Sequence, residues 1–299
     1  MGMAFVVFIS LYVLRDYRGE IGRWKMAAAE KFHNQHDIDQ ALAAASEAQH
    51  WDPDNIQFTR KRVDWLQKHE DLPAALEAVD DLLESVQGNS AQTSAVLIMR
   101  ADLLQSMKRH KEALADSDEA FKLQGVGRTP SDNKPYSPSA VNTRAYFIAR
   151  ARAAGQASDE QVGQALVEMQ ELIRFWDVNL DSVSSSSPTS MFEFRVAEIM
   201  FLDTYAYLRL YAGDHQRALF DLNRCVEMTD HLAALAESES AELGQSPMMQ
   251  EYVSQLPDHK AVIVAHRGAA HRMLGNTAAA NADFQTAAEL GFNPRRGLW

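Results

Sequence analysis

Two histidines are the first candidates for chemistry. His33-Asn34-Gln35-His36 is followed directly by Asp37. Imidazoles three residues apart at a helix end can meet a cation, but no third ligand lies nearby. The favoured reading is structural, with His33 on a groove or surface and His36 in place of a turn glycine. His266 and His271 are five residues apart, diverge around a helix, and read as groove and seam residues. Cys225 is the one cysteine, which excludes an internal disulfide and any multi-cysteine metal site. Its place among small residues marks it as a buried, inert thiol. There is no phosphate-cradling glycine loop, no Gly-x-Ser-x-Gly and no His-Glu-x-x-His. Asp80-Asp81 and Glu237–Glu242 read as solvated helix faces. A net charge of −12 disfavours nucleic acid, which needs a basic stripe. The expectation is a chain that is not an enzyme, with no metal, no cofactor and no small-molecule substrate.

With no reactive constellation to position, the question becomes which elements recur. His36-Asp37-Ile38-Asp39-Gln40-Ala41-Leu42 is matched by Glu70-Asp71-Leu72-Pro73-Ala74-Ala75-Leu76, and Ala41 to Ala75 is 34 positions. Ala113 with Ala120 is a third copy. Gly213-Asp214-His215-Gln216-Arg217-Ala218-Leu219 with Cys225, and Gly275-Asn276-Thr277-Ala278-Ala279-Ala280 with Ala287, are later ones. Asp37, Asp71, Asp214 and Asn276 stand where a second helix should begin and can cap it. Gly213 and Gly275 precede two of those caps, where the backbone turns left-handed. Pro73 falls in a first turn, where no helical N–H is lost. Ala41/Ala48, Ala113/Ala120 and Ala280/Ala287 share a helix face and allow close approach. Phe32, Leu66, Leu104, Leu222 and Phe284 fill the same seam.

This pattern resembles the tetratricopeptide repeat (TPR) family, whose unit is a helix–turn–helix of about 34 residues. Units fall at 22–55, 56–89, 94–127, 199–232 and 261–294, with a divergent helix pair at 138–176. The resemblance implies an all-α chain, an α-solenoid of stacked hairpins forming a right-handed superhelix in two or three blocks. The expected organisation is an apolar N-terminal helix at 1–21, three repeats over 22–127, the divergent pair, and two further repeats over 191–299 with an inserted segment near 233–258. Val63 departs from the family's small position, which Ala29, Ala101, Ala206 and Gly268 obey. Arg109-His110 replaces the Gly-Asp turn in the third unit. The divergent unit keeps Asn142, Ala145 and Ala165 and inserts a turn near Gly155–Asp159. Gly127–Ser139, with three prolines, reads as a non-helical loop, and Asp177–Ser190 as a flexible linker. Ala233-Ala234-Leu235-Ala236-Glu237 should extend the preceding helix, with Gly244–Pro257 joining it to the last unit.

Ala4–Leu14 carries no charge, and Met1–Leu14 would reach about 21 Å as a helix, short of a bilayer core of about 30 Å. It lacks the flanks of a cleavable signal. Three placements fit: a short anchor that thins the bilayer, the end of a longer transmembrane helix, or a first helix packed on the body. Apolar residues all round (Phe5, Val6, Val7, Phe8, Ile9) favour membrane attachment through residues 3–14. Arg15, Arg18, Arg23 and Lys25 follow the run, so the body is expected on the cytoplasmic side.

In the TPR family the first helices line a concave groove that binds peptides or helices of partners. The resemblance carries this role to Arg60, Lys61, Asp64, Asp102, Asn142, Asp203, Tyr207, Tyr211, His266 and Arg272. The positions of the chaperone-tail clamp hold Met26, Glu30, Lys61, Ala95 and Met99, which depart from that clamp's Lys/Asn, Asn and Lys/Arg set. A protein-interaction scaffold, tethered to a membrane, is the expected role. The alternative is a regulatory or catalytic component with chemistry in the irregular segments at 127–139 or 233–258.

Overall fold

The computed structural model describes residues 2–125, 137–183, 188–239 and 247–292. Two compact units divide at Gly127 and Arg128. In the first, α1 (Gly2–Asn34), α2 (Ile38–Trp51), α3 (Ile56–Lys68), α4 (Leu72–Ser85), α5 (Ser90–Ser106) and α6 (His110–Gln124) each pack on the next. In the second, α7 (Pro138–Ala153), α8 (Asp159–Val183), α9 (Pro188–Tyr211), α10 (His215–Ser238), α11 (Pro247–Met273) and α12 (Thr277–Glu289) do the same, and α9 also touches α7 and α11.

One turn geometry recurs. Counted from 22, 56, 94, 199 and 261, the fifteenth residues are His36, Glu70, Lys108, Gly213 and Gly275, with φ of 62°, 61°, 63°, 92° and 80°. The residue after each donates its N–H back to the first helix: Asp37 to Phe32 O, Asp71 to Leu66 O, Arg109 to Leu104 O, Asp214 to Arg209 O and Asn276 to His271 O, at 2.8–3.0 Å. A left-handed residue followed by this six-residue closure ends a helix with its last carbonyls satisfied. The same five residues then accept from the N–H of Ala41, Ala75, Ala113, Ala218 and Ala280 at 3.0–3.1 Å, and these alanines are 0–2% exposed. At the first helices' small position, Ala29, Ala101 and Ala206 are fully buried. A Cβ on Gly268 would stand 3.0 Å from the Phe284 ring. Val63 is accommodated at 3% exposure.

Side-chain capping follows in part. Asp37 and Asp71 accept from the N–H of Gln40 and Ala74 at 3.2 Å, and Pro73 lies in the first turn of α4. Asp214 and Asn276 make no such bond. Asp214 is near Arg217, and Asn276 meets His271. In the third unit the left-handed residue is Lys108 and Arg109 takes the cap position, one residue earlier than the expected Arg109-His110.

Four expectations are corrected. The apolar start is not a separate helix ending at 21: it continues without a break into the first repeat as α1, because nothing in Arg15–Lys25 terminates a helix. Among the described residues no helix is long and apolar enough to cross a membrane. Asp177–Val183 extends α8 and Pro188 opens α9, so the expected linker is largely helical; residues 184–187 lie outside the described residues. Pro247–Pro257 is helix rather than a joining loop, with Pro257 inside α11 and exposed; burial of Met249 and Leu256 holds the helix through it. The expected loop at 127–139 lies outside the described residues up to 136, and Pro138 starts α7.

Candidate functional site

The first helices of the first unit carry a charged face. Arg60, Lys61 and Asp64 on α3 are exposed, and Lys61 pairs with Glu30 of α1. Partial loss of solvent holds the Asp64 carboxyl above its usual range, against the opposing pull of Lys68 and Arg60. Asp102 on α5 is half-buried. Desolvation pushes its carboxyl up to about 7, with Arg60 acting the other way. His33 is half-buried, its ring stacked on Trp65 at 4.7 Å and 12°. Among the described residues no three His, Cys, Asp or Glu side chains could hold a metal together.

The second unit treats its counterparts differently. Asp203 on α9 and His266 on α11 are 1% and 4% exposed, and His266 Nδ1 donates to both Asp203 oxygens at 2.9 and 3.1 Å. Tyr207 stacks on His266 at 4.0 Å and meets Tyr211 edge-on at 5.1 Å. Burial raises the Tyr207 hydroxyl well above its ordinary range. Asn142 is buried with its Oδ1 unpartnered, as is His266 Nε2. The spacing of these residues places them on the first helices, but their exposure is not that of a surface. Asn142, Asp203, Tyr207 and His266 are each 9% exposed or less, buried on α7, α9 and α11. Arg272 alone of the last unit's candidates is exposed, lying over the Phe284 ring at 5.3 Å. Cys225 is fully buried, and burial pushes its thiol up, which makes it unreactive.

One recurring arrangement escaped the sequence. Arg100 grips Asp116 through Nε and Nη2 at 2.7 Å, and Arg267 grips Asp283 at 3.0 and 2.6 Å. Both pairs join the two helices of a hairpin at the seventh and twenty-third unit positions. In the 199–232 unit Tyr205 occupies the arginine's place. Arg209, one turn on, lies over the Tyr205 ring at 4.2 Å and bonds Asp221 instead. The shared offset of sixteen residues was the available signal.

The turn and the closure bond repeat at the same unit positions five times, and the paired small residues four times, Leu82 taking the second place in the 56–89 unit. The fold is TPR-like. No family model matches the chain, and no curated protein matches it. Among solved structures it is similar to a tetratricopeptide repeat protein from Parabacteroides merdae, at 15% identity over 92% of this chain and 95% of that one, with a TM-score of 0.46. It is also similar to BtubC from P. vanneervenii, at 15% identity over 93% and 94%, with a TM-score of 0.43. A third is YrrB, described as a TPR protein with an unusual peptide-binding site, at 14% identity over 86% and 97%, with a TM-score of 0.37. At such scores the weight rests on the TPR-like geometry itself.

Beyond the two faces, a shallow cleft between α8, α9 and α10 is lined by Ile173, Trp176, Glu198, Phe201, Leu202 and Arg224. Its one carboxylate, Glu198, is engaged by Arg195 and Arg224 at 2.6 and 3.4 Å. Charge matched in this way holds helices together and leaves no poised acid or base.

Proposed function

We propose that this chain is a non-enzymatic scaffold that binds protein segments on the first-helix face of its N-terminal TPR-like unit and is held at a membrane by the apolar start of α1. The observation that carries the binding reading is the contrast between the units. Arg60, Asp64 and Lys68 are exposed on α3 beside the half-buried Asp102 of α5, whereas Asp203, Tyr207 and His266 are consumed in internal contacts. Mixed donors and acceptors on a rigid helical frame suit a partner's side chains and backbone. Tyr211 and Arg272 remain candidate contacts of the second unit.

Capture from native extract with the full chain tests this against Arg60→Ala/Asp64→Ala/Asp102→Asn. Loss of partners at least tenfold is expected, of the order that removing several charged interface contacts gives. Recovery of the same partners by both forms would defeat the assignment of this face. The membrane reading rests on Ala4–Leu14, and the Lys and Arg that follow support a cytoplasmic side for the repeats. Fractionation of native cells checks it, with release to the soluble fraction expected for Phe5→Asp/Phe8→Asp.

The catalytic alternative has its chemistry in 127–139 or 233–258; residues 127–136 and 240–246 of these lie outside the described residues, and no observation on the rest favours it.

A further inference from the structure

The ninth position of the first helix carries a carboxylate in every repeat of the first unit: Glu30 on α1, Asp64 on α3 and Asp102 on α5. Each follows the inward-turned position held by Ala29, Val63 or Ala101. Glu30 is answered from within the chain. Lys61, the sixth residue of the next repeat, reaches back from α3 and forms an ion pair with it. One repeat later the sixth residue is Met99, half-buried and packed against the apolar core, so Asp64 receives no such lysine. Among the described residues neither Asp64 nor Asp102 makes a hydrogen bond or an ion pair through its side chain.

The surroundings of these two carboxyls fit a cation. Desolvation is the largest influence on both and raises them, as it does where burial is not offset by a partner. Arg60 acts on both from a distance, which sets all three groups on one face, and it forms no ion pair with either. An ammonium or guanidinium brought to this place would favour the ionised carboxylates and offset their desolvation. Met99 stands where Lys61 stands one repeat earlier and offers apolar surface to the methylenes of a long cationic side chain. A net charge of −12 draws cationic segments toward the chain.

We infer that the binding face of the first unit takes a lysine or arginine side chain of a partner segment at Asp64 and Asp102, in the manner in which Lys61 meets Glu30. This rests on the binding face proposed above and names the chemistry it recognises. The chain fills the first rung of its own carboxylate ladder, and the partner fills the other two.

The experiment selects short random peptides, displayed on phage, against the full chain. Wild type should enrich lysine or arginine at one peptide position, and glutamine at that position should weaken the selected peptide about tenfold. Asp64→Asn/Asp102→Asn keeps the shape of both side chains. It should weaken the parent peptide by a similar factor and leave the glutamine peptide unchanged, the coupling expected of groups in contact. Met99→Lys, which supplies from α5 what Lys61 supplies from α3, should occupy Asp64 and remove the parent peptide's advantage at unchanged helicity. Selected peptides that lack a cationic residue, yet bind Arg60→Ala/Asp64→Ala/Asp102→Asn more weakly than wild type, would overturn the cation and leave the binding face standing. Cationic peptides that bind Asp64→Asn/Asp102→Asn as tightly as wild type would overturn the role of these carboxylates. A full chain that selects no peptide would overturn this inference together with the face on which it rests.

Discussion

At the scale of single residues, burial decides what each charged group does. Asp102 ionises near 7 when folded and near 3.9 when unfolded, so its folded state holds a proton that the unfolded chain has released. Below about pH 4 both states are protonated and the group is neutral in its effect. Between about pH 4 and 7 stability falls as pH rises, and the full cost is present above 7. Asp102→Asn should therefore stabilise the protein by up to about 4 kcal/mol at pH 8 and by almost nothing near pH 4, read from urea unfolding at several pH values. His266 shows the reverse logic. Its ring is the hydrogen-bond partner of a carboxylate that is 1% exposed. His266→Ala should cost about 3 kcal/mol in thermal or urea unfolding, because Asp203 would be left buried and unpaired.

Elements are set by their ends. His36, Glu70 and Lys108 occupy the left-handed position that Gly213 and Gly275 fill elsewhere. A side chain there costs about 1 kcal/mol relative to glycine. Glu70→Gly and Lys108→Gly should each raise stability by about 1 kcal/mol, and Gly213→Ala should lower it by a similar amount, measured as shifts in urea midpoint at constant slope. The Arg100–Asp116 and Arg267–Asp283 grips tie the two helices of their hairpins with paired charge-assisted bonds. Arg267→Lys should lose about as much stability as Arg267→Ala, roughly 2 kcal/mol, because a single ammonium cannot reproduce the fork. Full rescue by lysine in denaturant unfolding would show that charge alone suffices.

For the molecule as a whole, each unit is a row of hairpins in which stability passes between neighbours. Among the described residues the main packing of α12 is on α11, whereas α9 touches α7, α8, α10 and α11. Amide exchange should accordingly be faster in α12 than in α9, and uniform protection across the second unit would contradict neighbour-limited stability. The amino-acid sequence by itself determined the hairpins: the 34-residue spacing, the caps at Asp37 and Asp71, the glycine turns and the small seams. Each of these acts within one turn or one helix pair, where chain neighbours dictate the outcome. It could not show that α1 absorbs the apolar start, that α8 runs through the supposed linker, or that Lys108 is the left-handed residue, since helical propensity there favours continuation and any residue can be forced into a turn. Only the tertiary structure decided which predicted contact residues meet solvent. Asp203, Tyr207 and His266 share the spacing of Arg60 and Asp64, but their burial arises from α9 and α11 meeting across 63 residues of chain. Solvent exposure is a property of packing between distant segments, which spacing along one helix does not contain.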